Sequence, residues 1–477
     1  MSNKAILYIL PAFGLLFPVV ALFSYYNNDF DLKFIYLFAF IVVLGFFVSI
    51  SLNTSAISFI NNNLIVLLLF LTFGHTFLWF TVLPIVFRLE YNQILLTALM
   101  FISLSIFYFF NRIDFKTKIC RTTIDKFLLF FIFITISYSV FIANVREFTT
   151  IQGFSKVIIF FSSIYFFSYL FPMILLRSER LLDFFIKVVY SLGVISAVYG
   201  IFTALSPNLN PVNEYPGLSL SFFSHPNANA FLYCYTIPCA FYIIIKFKKS
   251  LSLLSKTGLL FSVIISIINQ FLTYSRTGIL AILLGITIFI YYYNKKVFFS
   301  MLVLLPFLVY MLFNVTTSEK GASTIVGRAG LIATGIEMLV NDKNGMLWGF
   351  GIDNNFKVFE ETKNSLLFPE SHNYPHNSLL FLTLVFGAVP VTLIVIFLIK
   401  RIIALMILFI KKKLNLISVL SYSIVISVFT QAFFEDFVLF PEYYMYHLIL
   451  IFIGLLFLPN FELRDSYYEL TEGKIAV

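Results

Sequence analysis

Apolar runs long enough to cross a bilayer recur along the chain, separated mostly by short polar connections. A spanning helix needs roughly 20 mostly apolar residues. By that measure the pattern predicts fourteen spans, at about 5–24, 34–52, 64–87, 93–110, 127–143, 154–176, 182–204, 226–245, 257–273, 277–293, 297–314, 377–399, 414–434 and 443–459. The expected fold is an all-α polytopic integral membrane protein with about 12–14 transmembrane helices. The ninth and tenth runs abut and read as a broken pair, and the apolar run 402–410 is too short to cross. The first run outlasts the roughly 7–15 apolar residues of a signal-peptide core, so it reads as a retained helix.

One connection is long. It follows the eleventh span and runs from 315 to 376. The spacing of Ile325, Val326, Leu331, Ile332, Ile336, Met338, Leu339 and Val340 predicts an amphipathic helix over about 323–340. Such a helix suits a membrane surface, and Trp348 follows as an interfacial anchor. The chain therefore divides into spans one to eleven (1–314), a large external loop (315–376), and the last three spans with a cytoplasmic tail (377–477).

Composition fits this reading. The chain of 477 residues is 60% apolar and 12% charged, against about 45–50% and about 25% in soluble domains. A net charge of +9 would suggest nucleic acid in a soluble protein. Here Lys and Arg collect in every second loop, for example Arg112, Lys116, Lys118, Arg121 and Lys126, or Lys246, Lys248, Lys249 and Lys256. The positive-inside rule puts those loops and both termini in the cytoplasm, and the long loop outside. Nucleic acid is therefore not expected as a partner. Three cysteines without a CxxC spacing support neither a zinc site nor a disulfide framework.

The unusual polar residues collect on the predicted outer side. His376 and Asn377 open the twelfth run, four residues after His372. Arg276 stands in Ser275-Arg276-Thr277-Gly278, between the ninth and tenth runs. Arg328 begins the predicted amphipathic helix, and His225-Pro226-Asn227 opens the eighth span. His372 and His376 have the spacing of a metal pair, but Pro375 interrupts the helix that would align them; no metal and no cofactor are expected. Guanidinium groups bind phosphate through paired, charge-assisted hydrogen bonds. A neutral imidazole accepts a proton near physiological pH. Together these groups suit a sugar carried on a lipid diphosphate. The plainer readings are an arginine that snorkels to headgroups and a histidine that is merely an interfacial polar residue. The competing function is a lipid-linked oligosaccharide flippase or other polytopic transporter. Transporters usually place ionisable groups mid-membrane and often show paired halves, and neither pattern is visible in this sequence.

These residues resemble the O-antigen ligase and polymerase superfamily of bacterial membrane proteins. Its ligase branch shows a histidine, then Asn, Ser or His, nine further residues, Gly, two residues, and Gly, Thr or Tyr. Here His376-Asn377 is followed after nine residues by Gly387, while Pro390 stands at the final position. Arg276 resembles the family's arginine before its next helix, Arg328 its second arginine, and Gly349-Phe350-Gly351 its glycine-containing turn. His225-Pro226-Asn227 resembles another family segment, so the likeness covers about Ser221 to Pro390. The resemblance implies a glycosyltransferase of the cytoplasmic (inner) membrane. It would move a glycan en bloc from undecaprenyl diphosphate to an acceptor hydroxyl, with inversion and without metal or ATP. The acceptor is either lipid A core or another lipid-linked repeat. The resemblance further implies His376 as the catalytic residue. Arg276 and Arg328 would hold the diphosphate, with Asn377, His372 and His225 contacting substrate.

Overall fold

The computed structural model describes residues 134–135, 137–138, 164, 166–177, 179–206, 218–219, 221, 226–302, 319–351, 354–362, 375–434 and 446–458. The five spans expected between 5 and 143 lie almost wholly outside them, and His225 and His372 lie outside them too. A π-helical turn (Phe166–Leu170) opens the main described part. There follow α1 (Phe171–Arg177), α2 (Glu179–Leu205), α3 (Pro226–Lys246), α4 (Leu253–Leu272), α5 (Arg276–Tyr293) and α6 (Lys295–Leu302). Then come α7 (Glu319–Asn341), α8 (Lys343–Trp348), α9 (Asn354–Thr362), α10 (Ser378–Phe386), α11 (Ala388–Ile410), α12 (Leu416–Ala432) and α13 (Tyr446–Phe457). Among the described residues there is no strand, and five helices are long and apolar enough to cross a membrane: α2, the Asn229–Lys246 part of α3, α4, α5 and α11. The chain is thus an all-α polytopic membrane protein.

The side chains confirm which solvent surrounds these helices. On α4, Leu260, Phe261, Ile264, Ile268 and Phe271 face outward, whereas Ser262, Ser266, Asn269 and Gln270 are buried. On α11, Ile396, Ile399, Ile403 and Met406 are exposed. Water would select the reverse arrangement. Lipid tolerates apolar surface and drives polar groups inward to find partners.

The chain forms two compact units. In the first, α2, α3 and α4 pack on one another. A β-carbon at Gly193 of α2 would overlap Thr236 of α3, so glycine lets these two backbones approach closely. Near the start of α2, Lys246 closes an ion pair with Asp183 at 2.7 Å and another with Glu179 at 2.8 Å. Tyr242 donates to the same Asp183 carboxylate at 3.0 Å.

The second unit centres on α12, which is buried along nearly its whole length. Ser423 donates to the Gly285 carbonyl of α5 at 2.8 Å, and Gly285 leaves the room that Ser427 fills. Helix α7 appears where periodicity predicts one, but longer. Its buried stripe of Leu331, Thr334 and Met338 packs on protein, with Leu331 and Met338 joining Phe350, Phe359 and Leu384 in one cluster. Each apolar side chain so buried is worth roughly 1.5–3 kcal/mol relative to exposure in water.

The expected span 377–399 departs most from the sequence reading. It is broken at Gly387 into a short α10 and a long α11. Helix α11 continues through Lys400 and Arg401 to Ile410, so the run 402–410 belongs to it and does not stand apart. Gly387 has φ 90°, a left-handed conformation costly for any residue with a β-carbon. A β-carbon there would also lie 2.2 Å from the Leu347 carbonyl oxygen. Gly349, with φ 84°, comes equally close to the Val385 carbonyl from the other side. The break frees carbonyls at the end of α10, and the loop supplies their donors. Phe350 N–H donates to Leu384 at 2.7 Å and Gly351 N–H to Val385 at 3.1 Å. Pro390 falls in the first turn of α11, where a missing N–H is tolerated.

Gly387→Ala is therefore expected to cost roughly 2 kcal/mol or more. Gly258→Ala, at a site with nothing within 4 Å, is expected to be neutral or stabilising. Thermal unfolding of the detergent-solubilised protein checks this, and equal midpoints for both variants would remove the clamp from the account.

Candidate functional site

His376 precedes the short helix α10 and is nearly buried, with 9% of its surface exposed. Its φ of 30° is unusual for a residue with a β-carbon. Two neighbours fix the backbone around it. Pro375 on one side packs near Gly335 of α7, where a β-carbon would lie 3.4 Å from Pro375 and 2.9 Å from Leu380. Asn377 on the other side is the N-cap of α10.

Asn377 has a double task. Its Oδ1 accepts from the Leu380 N–H at 2.8 Å, as a helix cap should. Its Nδ2 donates to the Phe433 carbonyl at 2.8 Å. Phe433 is the residue just past the end of α12. The adjacent carbonyl, that of Phe434, accepts from Arg328 Nη1 at 3.2 Å. Two consecutive carbonyls at one helix end therefore hold Asn377 and Arg328 together. A helix C-terminus carries partial negative charge, so a guanidinium is well placed there.

Arg328 lies nine residues inside α7, not at its start as the sequence pattern suggests. Arg276 opens α5 and is half-buried. Trp348 at the end of α8 stacks edge-on against Tyr138 at 5.0 Å, so its ring is engaged with protein. Among the described residues no three His, Cys, Asp or Glu side chains gather as a metal ion would require.

The structure thus gathers Arg328 with Asn377, and through Asn377 the adjoining His376, and places Arg276 at the start of α5. The carbonyls of Phe433 and Phe434 were not legible in the sequence, because a backbone oxygen leaves no residue-type signature. Their only sequence signal is position, at the end of a span.

A multi-pass helical membrane protein with an arginine and a histidine-asparagine pair at one helix end is what these observations define. A family model described as O-antigen ligase matches residues 261–396, from within α4 into α11. That stretch of the chain is thus similar to the O-antigen ligase family, which supports membership of the O-antigen ligase and polymerase superfamily. No curated protein and no solved structure matches it.

Asn377→Ala is expected to lose the cap, at about 1 kcal/mol, and to speed hydrogen exchange at the Leu380 amide. Asn377→Asp keeps the acceptor for Leu380 but turns a carboxylate toward the Phe433 carbonyl. It should spare the Leu380 amide while lowering the unfolding midpoint. Identical exchange and midpoints in all three proteins would refute the double task.

Proposed function

We propose that the protein transfers a glycan en bloc from undecaprenyl diphosphate to an acceptor sugar hydroxyl on the extracytoplasmic face of the bacterial inner membrane. The observation that carries this reading is the pair of arginines. Arg328 donates to the Phe434 carbonyl beside the anchor of Asn377 and the adjoining His376, Arg276 opens α5 half-buried, and guanidinium groups in such settings favour a bound anion. A diphosphate supplies two such groups and fits the paired donors of each arginine.

In this reading His376 accepts the proton of the acceptor hydroxyl as its oxygen attacks the anomeric carbon. The new C–O bond forms as the bond to the diphosphate breaks, with inversion. Undecaprenyl diphosphate departs with the bonding electrons, and Arg276 and Arg328 stabilise its growing charge. The donor is already activated, so no nucleotide is consumed, and the cationic charge comes from the arginines. Asn377 spends its described hydrogen bonds on the protein, so its proposed part is to hold His376. His372 and His225 are retained as residues that contact the glycan.

The acceptor is lipid A core in a ligase and a second lipid-linked repeat in a polymerase. A cell lacking the gene distinguishes them. Full-length polymer stranded on undecaprenyl diphosphate indicates a ligase, and acceptors carrying a single repeat indicate a polymerase.

His376→Ala is expected to lower transfer in isolated membranes by about 10²-fold or more, with insertion intact. Arg276→Lys should lower it by roughly ten- to a hundredfold, because a point charge replaces a bidentate fork. Wild-type transfer by the histidine variant would defeat the proposal. Wild-type transfer by the arginine variant would return Arg276 to a headgroup anchor.

A further inference from the structure

Three elements of the second unit close a ring beside His376. The end of α12 meets α7 where Arg328 donates to the Phe434 carbonyl at 3.2 Å. It meets the start of α10 where Asn377 donates to the Phe433 carbonyl at 2.8 Å. The third side joins the start of α10 directly to α7, and it is made at Gly335. A β-carbon there would lie 2.9 Å from Leu380 Cδ2, 3.3 Å from Leu380 Cγ and 3.4 Å from Pro375 Cβ. Packed carbon atoms keep about 3.5–4.0 Å apart, so glycine is what lets the two segments lie this close.

Pro375 and Leu380 are the residue before His376 and the fourth residue after it. Gly335 therefore seats the chain on both sides of the histidine. Neither neighbour can readily swing aside. Pro375 is buried, and its ring fixes its own φ. Leu380 packs on the cluster of Leu331, Met338, Phe350, Phe359 and Leu384, and its amide donates to Asn377 Oδ1 at 2.8 Å. Between them His376 has φ 30°, a backbone that a residue with a β-carbon keeps when its surroundings impose it. Arg328 and Gly335 stand seven residues apart on α7, close to two turns, and so share a face. One helix thus carries a guanidinium at one contact and the seat of the histidine at the other.

We propose that Gly335 is a positioning residue for His376. The bare face it offers to Pro375 and Leu380 sets the place of the imidazole relative to Arg328. The proposal rests on the reading of His376 as the group that takes the acceptor proton.

The test uses the full chain. Gly335→Ala introduces the clash while making α7 the better helix former. It should lower kcat about tenfold or more, since a misplacement of about 1 Å can cost 10²-fold, with donor KM little changed. Leu380→Ala removes the two nearest atoms. With both changes, kcat should lie within about twofold of Leu380→Ala alone. In a His376→Ala background, Gly335→Ala should lower the residual transfer no further, because it acts through the histidine. Hydrogen exchange across 376–381 reads the seat without activity. It should quicken in Gly335→Ala and not when Leu380→Ala already makes room. Should Gly335→Ala insert poorly, Leu380→Phe presses on the same contact from the other side and should lower kcat in the same way. Wild-type kcat in the variant that inserts overturns the proposal. So does an equal fractional loss from Gly335→Ala with and without His376, or a loss that Leu380→Ala does not relieve. If His376→Ala itself transfers at the wild-type rate, the reading of His376 falls first and the proposal falls with it.

Discussion

Two consecutive backbone carbonyls, those of Phe433 and Phe434, hold the candidate site together. Helix ends leave carbonyls that need donors from elsewhere. Here those donors are Asn377 and Arg328, which lie 56 and 106 residues away in sequence. Satisfying the end of α12 and assembling the site are therefore one event. The neighbouring histidine inherits its place from Asn377, which also starts α10. A change that frayed the end of α12 would loosen the shared anchor of Asn377 and Arg328.

The same logic recurs at the other end of α10. The break at Gly387 exposes the Leu384 and Val385 carbonyls, and the loop covers them with the amides of Phe350 and Gly351. Two glycines with positive φ make the approach possible, each facing a carbonyl of the opposing segment. The nine-residue helix is thus tied at its start to α12 and at its end to the loop. Its buried residues Phe381, Leu384, Val385 and Phe386 anchor it between.

Much of the helical frame was readable from hydropathy. The expected spans 226–245, 257–273 and 277–293 lie close to α3, α4 and α5. Apolar length and the turn residues around Ser275 and Pro226 carry that information. The break at Gly387 was missed, although glycine followed by Pro390 inside an apolar run is a signal for it. Hydropathy averages over such a pair. The continuation of α11 through Lys400 and Arg401 was missed for the opposite reason, since two charges look like a boundary. Arg401 is buried, with its guanidinium 5.3 Å from the ring of Phe397. In the site, residue types pointed to the arginines and the histidine. The anchoring of Asn377 was invisible, because it depends on a backbone atom far along the chain.

The clamp at Gly349 and Gly387 also defines what can be exchanged between relatives. The large loop does not end where the next apolar run begins, since its amides finish the hydrogen bonding of α10. A chimera joined just before Ser378 would set foreign donors against host carbonyls, whereas a junction at Gly387 moves both halves of the clamp together. The natural cassette to exchange is thus the loop with α10, bounded by a glycine and not by the apparent membrane surface.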